Sequence, residues 1–174
     1  DQDLYVVSAG YELDENSPLL QDRLYKNDGK GNFSLDKNAL PKMITSGKSV
    51  IASDYDADGD LDLFVAGNVI PGKYPLSPKS YLLTNDNGKF SDVTATSEAL
   101  SEAGMISEAI FTDYDNDKDL DIMVVGEWMA PTFFNNTNGA FEKDTAVSGL
   151  ENTEGWYFSV NSADYDNDGD QDYV

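Results

Sequence analysis

The sequence predicts an all-β protein, a β-propeller segment of about three four-stranded blades that is incomplete as a ring. Three observations predict it. A nine-residue acidic pattern recurs at intervals of 59 and 51 residues. A two-strand hairpin stands at a nearly fixed distance ahead of each copy: 21 residues separate Phe33 from Asp54, and 23 separate both Phe90 from Asp113 and Phe141 from Asp164. The run that leaves the acidic pattern is apolar on both faces, as a strand stacked between two neighbouring sheets must be.

The elements follow in chain order. Asp1-Gln2-Asp3-Leu4-Tyr5-Val6-Val7 matches Asp60-Leu61-Asp62-Leu63-Phe64-Val65-Ala66, so the chain begins in the tail of an acidic loop and its outgoing strand. Residues 8–22 are polar, carry Gly10, Asn16 and Pro18, and read as an exposed connection. Leu24-Tyr25-Lys26-Asn27 then meets Asn32-Phe33-Ser34 across Asp28-Gly29-Lys30-Gly31, a hairpin signal. The hairpin returns at Leu82-Leu83-Thr84-Asn85 with Lys89-Phe90, and at Thr132-Phe133-Phe134-Asn135 with Ala140-Phe141. In the best-preserved unit the strands are expected near 48–53, 61–66, 80–85 and 89–94. Leu61, Leu63 and Val65 are expected on one face, with Phe64 and Ala66 on the other. Residues 94–104 and 144–153 have room for no more than a turn or two of helix. The whole chain, 1–174, divides into a repeat tail 1–40, repeats 41–100 and 101–150, and the start of a further repeat at 151–174, the spacing difference falling mainly in 67–80.

The acidic pattern is a candidate calcium loop. Its copies are Asp54-Tyr55-Asp56-Ala57-Asp58-Gly59-Asp60-Leu61-Asp62, Asp113-Tyr114-Asp115-Asn116-Asp117-Lys118-Asp119-Leu120-Asp121 and Asp164-Tyr165-Asp166-Asn167-Asp168-Gly169-Asp170-Gln171-Asp172. Carboxylates at positions one, three, five and nine can converge on one hard cation, a glycine at six permits the turn, and residue seven can offer its carbonyl. The 33 acidic residues outnumber 11 basic ones for a net charge of -22, and 17 of the acids lie in these loops or at Asp1 and Asp3. Aspartates at alternate positions repel unless a cation lies between them. The net charge argues against nucleic acid and anionic membranes as partners. With no cysteine and no histidine, disulfides, thiol nucleophiles, histidine bases and Cys/His zinc sites are excluded.

These residues carry a resemblance. DYDxDGDxD entered from a strand, with an upstream Asn-x-Gly-x-Phe hairpin, resembles the FG-GAP or VCBS repeat, which builds the integrin α-subunit type of propeller and many bacterial surface proteins. Similar bacterial proteins include those like cartilage acidic protein, with an ASPIC/UnbV module. The resemblance covers nearly the whole chain. It implies a propeller that is typically seven-bladed, Ca2+ in a loop between the first two strands of a blade, and partners on the opposite face. Carried over, the ligands would be Asp54, Asp56, Asp58 and Asp62 with the Asp60 carbonyl; Asp113, Asp115, Asp117 and Asp121 with that of Asp119; and Asp164, Asp166, Asp168 and Asp172 with that of Asp170. Asp3 would be the ninth-position ligand of a truncated loop. Lys118 departs from the glycine of position six and must tolerate an unusual backbone angle.

Rival readings give different expectations. An EF-hand needs a glutamate at position twelve between helices, and Val65 and Val124 stand there instead. The expected role is a calcium-stabilised binding or scaffold module without catalytic residues, in an extracellular, cell-surface or periplasmic protein, since weak calcium loops suit millimolar calcium. Its export signal would lie upstream in a longer protein. Its partners would be a protein or glycan, with the remaining blades or further copies of the chain closing the ring; no membrane insertion is expected. The alternative is carbohydrate binding through Tyr74, Trp128 and Trp156-Tyr157, although such rings more often fill cores and blade junctions. Paired carboxylates can hydrolyse glycosides, but Glu108, Glu127 and Glu154 have no visible partner in the sequence. The glycosylation sequons at Asn32 and Asn135 are ordinary hairpin residues.

Overall fold

The computed structural model describes residues 1–147 and 149–174. Ser148, within the polar segment 144–153, lies outside the described residues. Fourteen strands form antiparallel sheets among the described residues. The first sheet contains β1 (Leu4–Val6), β2 (Arg23–Asn27) and β3 (Phe33–Asp36) in that order. The second has β4 (Ser46–Ser53), β5 (Asp62–Val69), β6 (Tyr81–Asp86) and β7 (Lys89–Asp92). The third repeats it with β8 (Met105–Thr112), β9 (Asp121–Met129), β10 (Thr132–Thr137) and β11 (Ala140–Lys143), and β12 (Gly155–Trp156) joins the far end of β9. A last pair, β13 (Ser162–Ala163) and β14 (Asp172–Tyr173), flanks the third acidic loop. The all-β prediction and the four-stranded meander hold, and among the described residues no sheet closes on itself.

Local chemistry explains the hairpins. Asn87 and Gly88 have φ of 52° and 89°, and Asn138 and Gly139 have 54° and 83°. Two successive positive φ values make the turn whose twist matches two paired strands. Asp86 therefore pairs with Lys89 and Thr137 with Ala140 across two-residue turns.

The strand limits differ from the expected ones in two instructive places. β5 runs on to Val69, because Gly67 pairs with Gly47 and Val69 with Ser46. A Cβ at Gly67 would lie 2.6 Å from the Lys79 carbonyl oxygen, so only glycine fits that crossing. β7 stops at Asp92, whose Oδ1 accepts from the Thr94 amide at 2.9 Å and opens a 3-10 turn over Thr94–Thr96. A short helix α1 (Glu98–Ser101) follows. Leu61, expected inside the strand, precedes it and is 60% exposed.

Burial on both strand faces is what stacks the sheets. On β5, Leu63 and Val65 join Leu24, Met43, Leu83 and Phe90, a core shared with the first sheet. Phe64 and Ala66 face the other way and join Ile106, Ala109, Ile122, Phe134 and Phe141 of the third sheet. β9 does the same one unit later, with Met123 and Val125 meeting Phe133 and Val160. Burying one such side chain stabilises the fold by roughly 1.5–3 kcal/mol. Polar contacts repeat alongside: the Gly47 amide donates to the Ser8 carbonyl, and the Tyr157 amide to the Gly126 carbonyl, both at 3.0 Å. The first ties β4 to the segment that follows β1, and the second ties the residue after β12 to β9.

Candidate metal centres

The acidic loops join β4 to β5, β8 to β9 and β13 to β14, so all three open at the same end of their sheets. Each is shaped by its first aspartate. Asp54 accepts from the Asp58 amide at 3.0 Å and the Gly59 amide at 3.1 Å; Asp164 accepts from Asp168 and Gly169, both at 3.1 Å. In the middle loop the Lys118 amide takes the glycine's place on Asp113, at 3.1 Å. Gly59 and Gly169 have φ of 100° and Lys118 has 82°, so the lysine adopts the left-handed backbone that its position requires.

Folding in this way gathers carboxylates. In each loop three of them bring oxygens within 4.8 Å of one another: Asp54, Asp56 and Asp58; Asp113, Asp115 and Asp121; Asp164, Asp166 and Asp172. Asp62, the ninth residue of the first loop, is fully buried. Its Oδ1 accepts from the Asn85 amide at 2.8 Å, while its Oδ2 is buried with no hydrogen-bond partner. Oδ1 of Asp113 is orphaned in the same manner. Burial pushes the Asp62 carboxyl up to about 6, with Asp56 and Asp58 adding repulsion. The same two causes push Asp121 up to about 6, burial first and then Asp115 and Asp117. An unpartnered buried oxygen among like charges is the arrangement a hard cation relieves. The donor set, all oxygen and all anionic, suits calcium chemistry rather than zinc.

The remaining predicted residues lie around these clusters. Asp60 turns its Oδ2 to the Asn87 amide at 2.8 Å, so its side chain serves the hairpin. Asp117 and Asp168 each accept from the backbone two residues on, at 2.9 and 3.0 Å. The Asp119 amide makes the first of those contacts. Asp170 accepts from Asn116 Nδ2 at 3.1 Å, which brings the second and third loops into contact. Asp3 has both oxygens engaged, one on Lys26 Nζ at 2.8 Å and one on the Asn27 amide at 2.9 Å.

Three residues with a positioning role were read in the sequence only as hairpin residues. Asn27, Asn85 and Asn136 each donate their backbone amide to the ninth-position aspartate, Asp3, Asp62 and Asp121, at 2.9, 2.8 and 2.8 Å. Each also donates its side-chain amide to the carbonyl of residue eight, Gln2, Leu61 and Leu120, at 3.0 Å. The same side chains accept from Gly29, Gly88 and Gly139 in the turn. One asparagine therefore fixes hairpin and loop together, and its recurrence ahead of each hairpin glycine was the available signal.

A recurring acidic loop, held to its hairpin by one asparagine in three successive sheets, defines a repeat. The profile of the FG-GAP-like repeat matches residues 1–65 and 113–174. The chain belongs to the FG-GAP-like repeat family. Within this FG-GAP-like chain the unmatched part, 66–112, contains the 67–80 connection that lengthens the second repeat. A comparison with curated proteins found no match. Among the described residues no helix is long and apolar enough to cross a membrane.

Proposed function

We propose that this FG-GAP-like chain is a calcium-stabilised β-propeller-type module, acting as a binding scaffold in an exported, cell-surface or periplasmic protein. The observation that carries the reading is the buried, unpartnered Oδ2 of Asp62 at the end of a loop whose Asp54, Asp56 and Asp58 carboxylates converge. Asp54, Asp56, Asp58 and Asp62 would hold one ion, Asp113, Asp115, Asp117 and Asp121 a second, and Asp164, Asp166, Asp168 and Asp172 a third. The Asp60, Asp119 and Asp170 carbonyls would complete the sets. Bound Ca2+ would supply the positive charge that each cluster lacks and stabilise the folded chain, since the unfolded chain has no preformed site. The protein's own part is to hold the loop backbone and the ninth aspartate in place through Asn85 and Asn136. No catalytic role is assigned: the clustered carboxylates are explained as ligands, and Glu108 accepts from the Ser49 hydroxyl of the neighbouring sheet.

Calcium titration by calorimetry with a parallel thermal melt tests the reading. The expected result is saturable binding and a melting temperature that falls on chelation. No heat at millimolar calcium and an unchanged melt in chelator would sink it.

A further inference from the structure

The first and second acidic loops share a side chain. Asn136 lies on β10 and is 2% exposed. Its main-chain amide donates to Asp121 Oδ1 at 2.8 Å, and its Nδ2 donates to the Leu120 carbonyl at 3.0 Å, so it holds the last two residues of the second loop. The same Nδ2 donates to the Tyr55 carbonyl at 3.0 Å, and Tyr55 stands between Asp54 and Asp56 of the first loop. Its Oδ1 accepts from the Gly139 amide at 2.8 Å. That turn lies against the first loop, since a Cβ on Gly139 would be 3.6 Å from that of Asp56 and 3.7 Å from the Tyr55 ring.

A second path runs beside the first. The Tyr55 ring lies 6.3 Å from that of Phe111, which stands two residues ahead of Asp113. Both paths leave the first loop at one residue and reach the second loop at its two ends, beside its first and ninth carboxylates. All of these contacts run between sheets whose four meander strands are present. When Asp54 and Asp56 take one ion, Tyr55 between them is fixed, and with it the Asn136 side chain. The Asn136 amide is then already set for Asp121, so the entropy of ordering this shared group is lost once for two ions rather than twice. Filling one loop also weakens the negative field at the other, which opposes this effect. Salt near 0.15 M screens that field over about 8 Å, whereas a buried contact is screened much less. The hydrogen-bonded path therefore sets the sign.

We propose that Asn136 couples the first two calcium centres, so that filling either one raises the affinity of the other by the same factor. The inference rests on the calcium reading above and adds how those sites are regulated. The test is nuclear magnetic resonance on the full chain in about 0.15 M salt, with calcium chloride as the probe. The Gly59 and Lys118 amides, which donate to Asp54 and Asp113 at 3.1 Å, report the two loops separately. Asp115→Asn with Asp117→Asn disables the second loop, and Asp56→Asn with Asp58→Asn the first; all four residues are exposed. Disabling the second loop is expected to weaken the binding read at Gly59 about fivefold or more, and disabling the first to weaken that read at Lys118 equally. The Asn136 side-chain amide signal should move with whichever loop remains. Asn136→Ala, with folding verified by circular dichroism, should make the loops independent. Affinities that ignore the state of the neighbouring loop, or an Asn136 signal that follows one loop only, would overturn the proposal. So would a dependence that persists in Asn136→Ala. No shift at either amide in millimolar calcium would remove the metal reading and the coupling together, whereas independent titration of the two loops would remove the coupling alone.

Discussion

The side-chain amide of Asn136 donates to the main-chain carbonyl of Tyr55, 81 residues earlier and in the loop of the preceding sheet, at 3.0 Å. The same nitrogen also reaches the Leu120 carbonyl at 3.0 Å, so one side chain fastens two acidic loops. Tyr55 itself crosses the boundary between sheets. Its ring lies 5.3 Å from that of Phe141 and 6.3 Å from that of Phe111, and it is 5% exposed. Tyr114 occupies the same loop position one unit later and meets Phe133, whose ring in turn meets that of Tyr173.

Asn136→Ala is therefore expected to lower stability by about 1–3 kcal/mol, the cost of leaving buried polar groups without partners. Asn85→Ala should cost less, because Asn85 spans only its own repeat and its side-chain bond to Leu61 is exposed. Urea denaturation of both variants gives the order. Equal costs would remove the bridging role of Asn136.

Tyr55→Phe is expected to leave the melting temperature unchanged or raise it. The Tyr55 hydroxyl is buried without a partner, so its removal abolishes a desolvation cost and keeps the ring. Tyr55→Ala should cost about 3–5 kcal/mol by opening a cavity between sheets. A large loss in the phenylalanine variant would mean that the hydroxyl serves the fold.

Stability without calcium is expected to rise as the pH falls from above 6 toward 3.8. Asp62 and Asp121 have folded-state values raised to about 6 from 3.8. A raised carboxyl favours the protonated folded state, so its contribution is fully present below the unfolded value and lost as pH climbs through the folded one. Calcium affinity should follow the opposite course and weaken over the same window, because protons compete for the same oxygens. Thermal melts in chelator, repeated on Asp62→Asn with Asp121→Asn, measure this. A wild-type trend that survives unchanged in the double variant would assign it to other groups.

Lys118→Gly is expected to tighten calcium binding at the second loop. The substitution relieves a left-handed lysine, worth roughly 1–2 kcal/mol, though the greater backbone freedom of unfolded glycine offsets part of that. It also removes a positive charge from the loop that carries Asp113, Asp115 and Asp121. The stability gain should be small and the affinity gain larger. Calorimetry that shows no change in calcium affinity would leave Lys118 without influence on the centre.

Much of this architecture was legible in the residue order, and particular positions show why. The two-residue turns follow from Asn87-Gly88 and Asn138-Gly139, because φ preference is a property of the residue itself. The two-sided apolar run from Leu63 to Ala66 announced a strand buried on both faces, and the two cores it joins are those of its neighbours. Reading Leu61 as part of that strand failed because apolar character alone does not say where pairing begins. Asn85 was read as a turn residue because nothing local to it shows that Asp62, 23 positions away, lies against its amide.

The sequence by itself determined what short-range physics controls. It specified which residues turn, which alternate, which carboxylates share a loop, and in what order these units follow one another. Only the tertiary structure decided that Asn136 would bind two loops, that Tyr55 would seal a sheet boundary, and that Trp128 would meet both Tyr74 and Trp156. Those outcomes depend on the distance and rotation between stacked sheets. Those two quantities are set by the combined packing of apolar side chains from both, so no single stretch of the chain contains them.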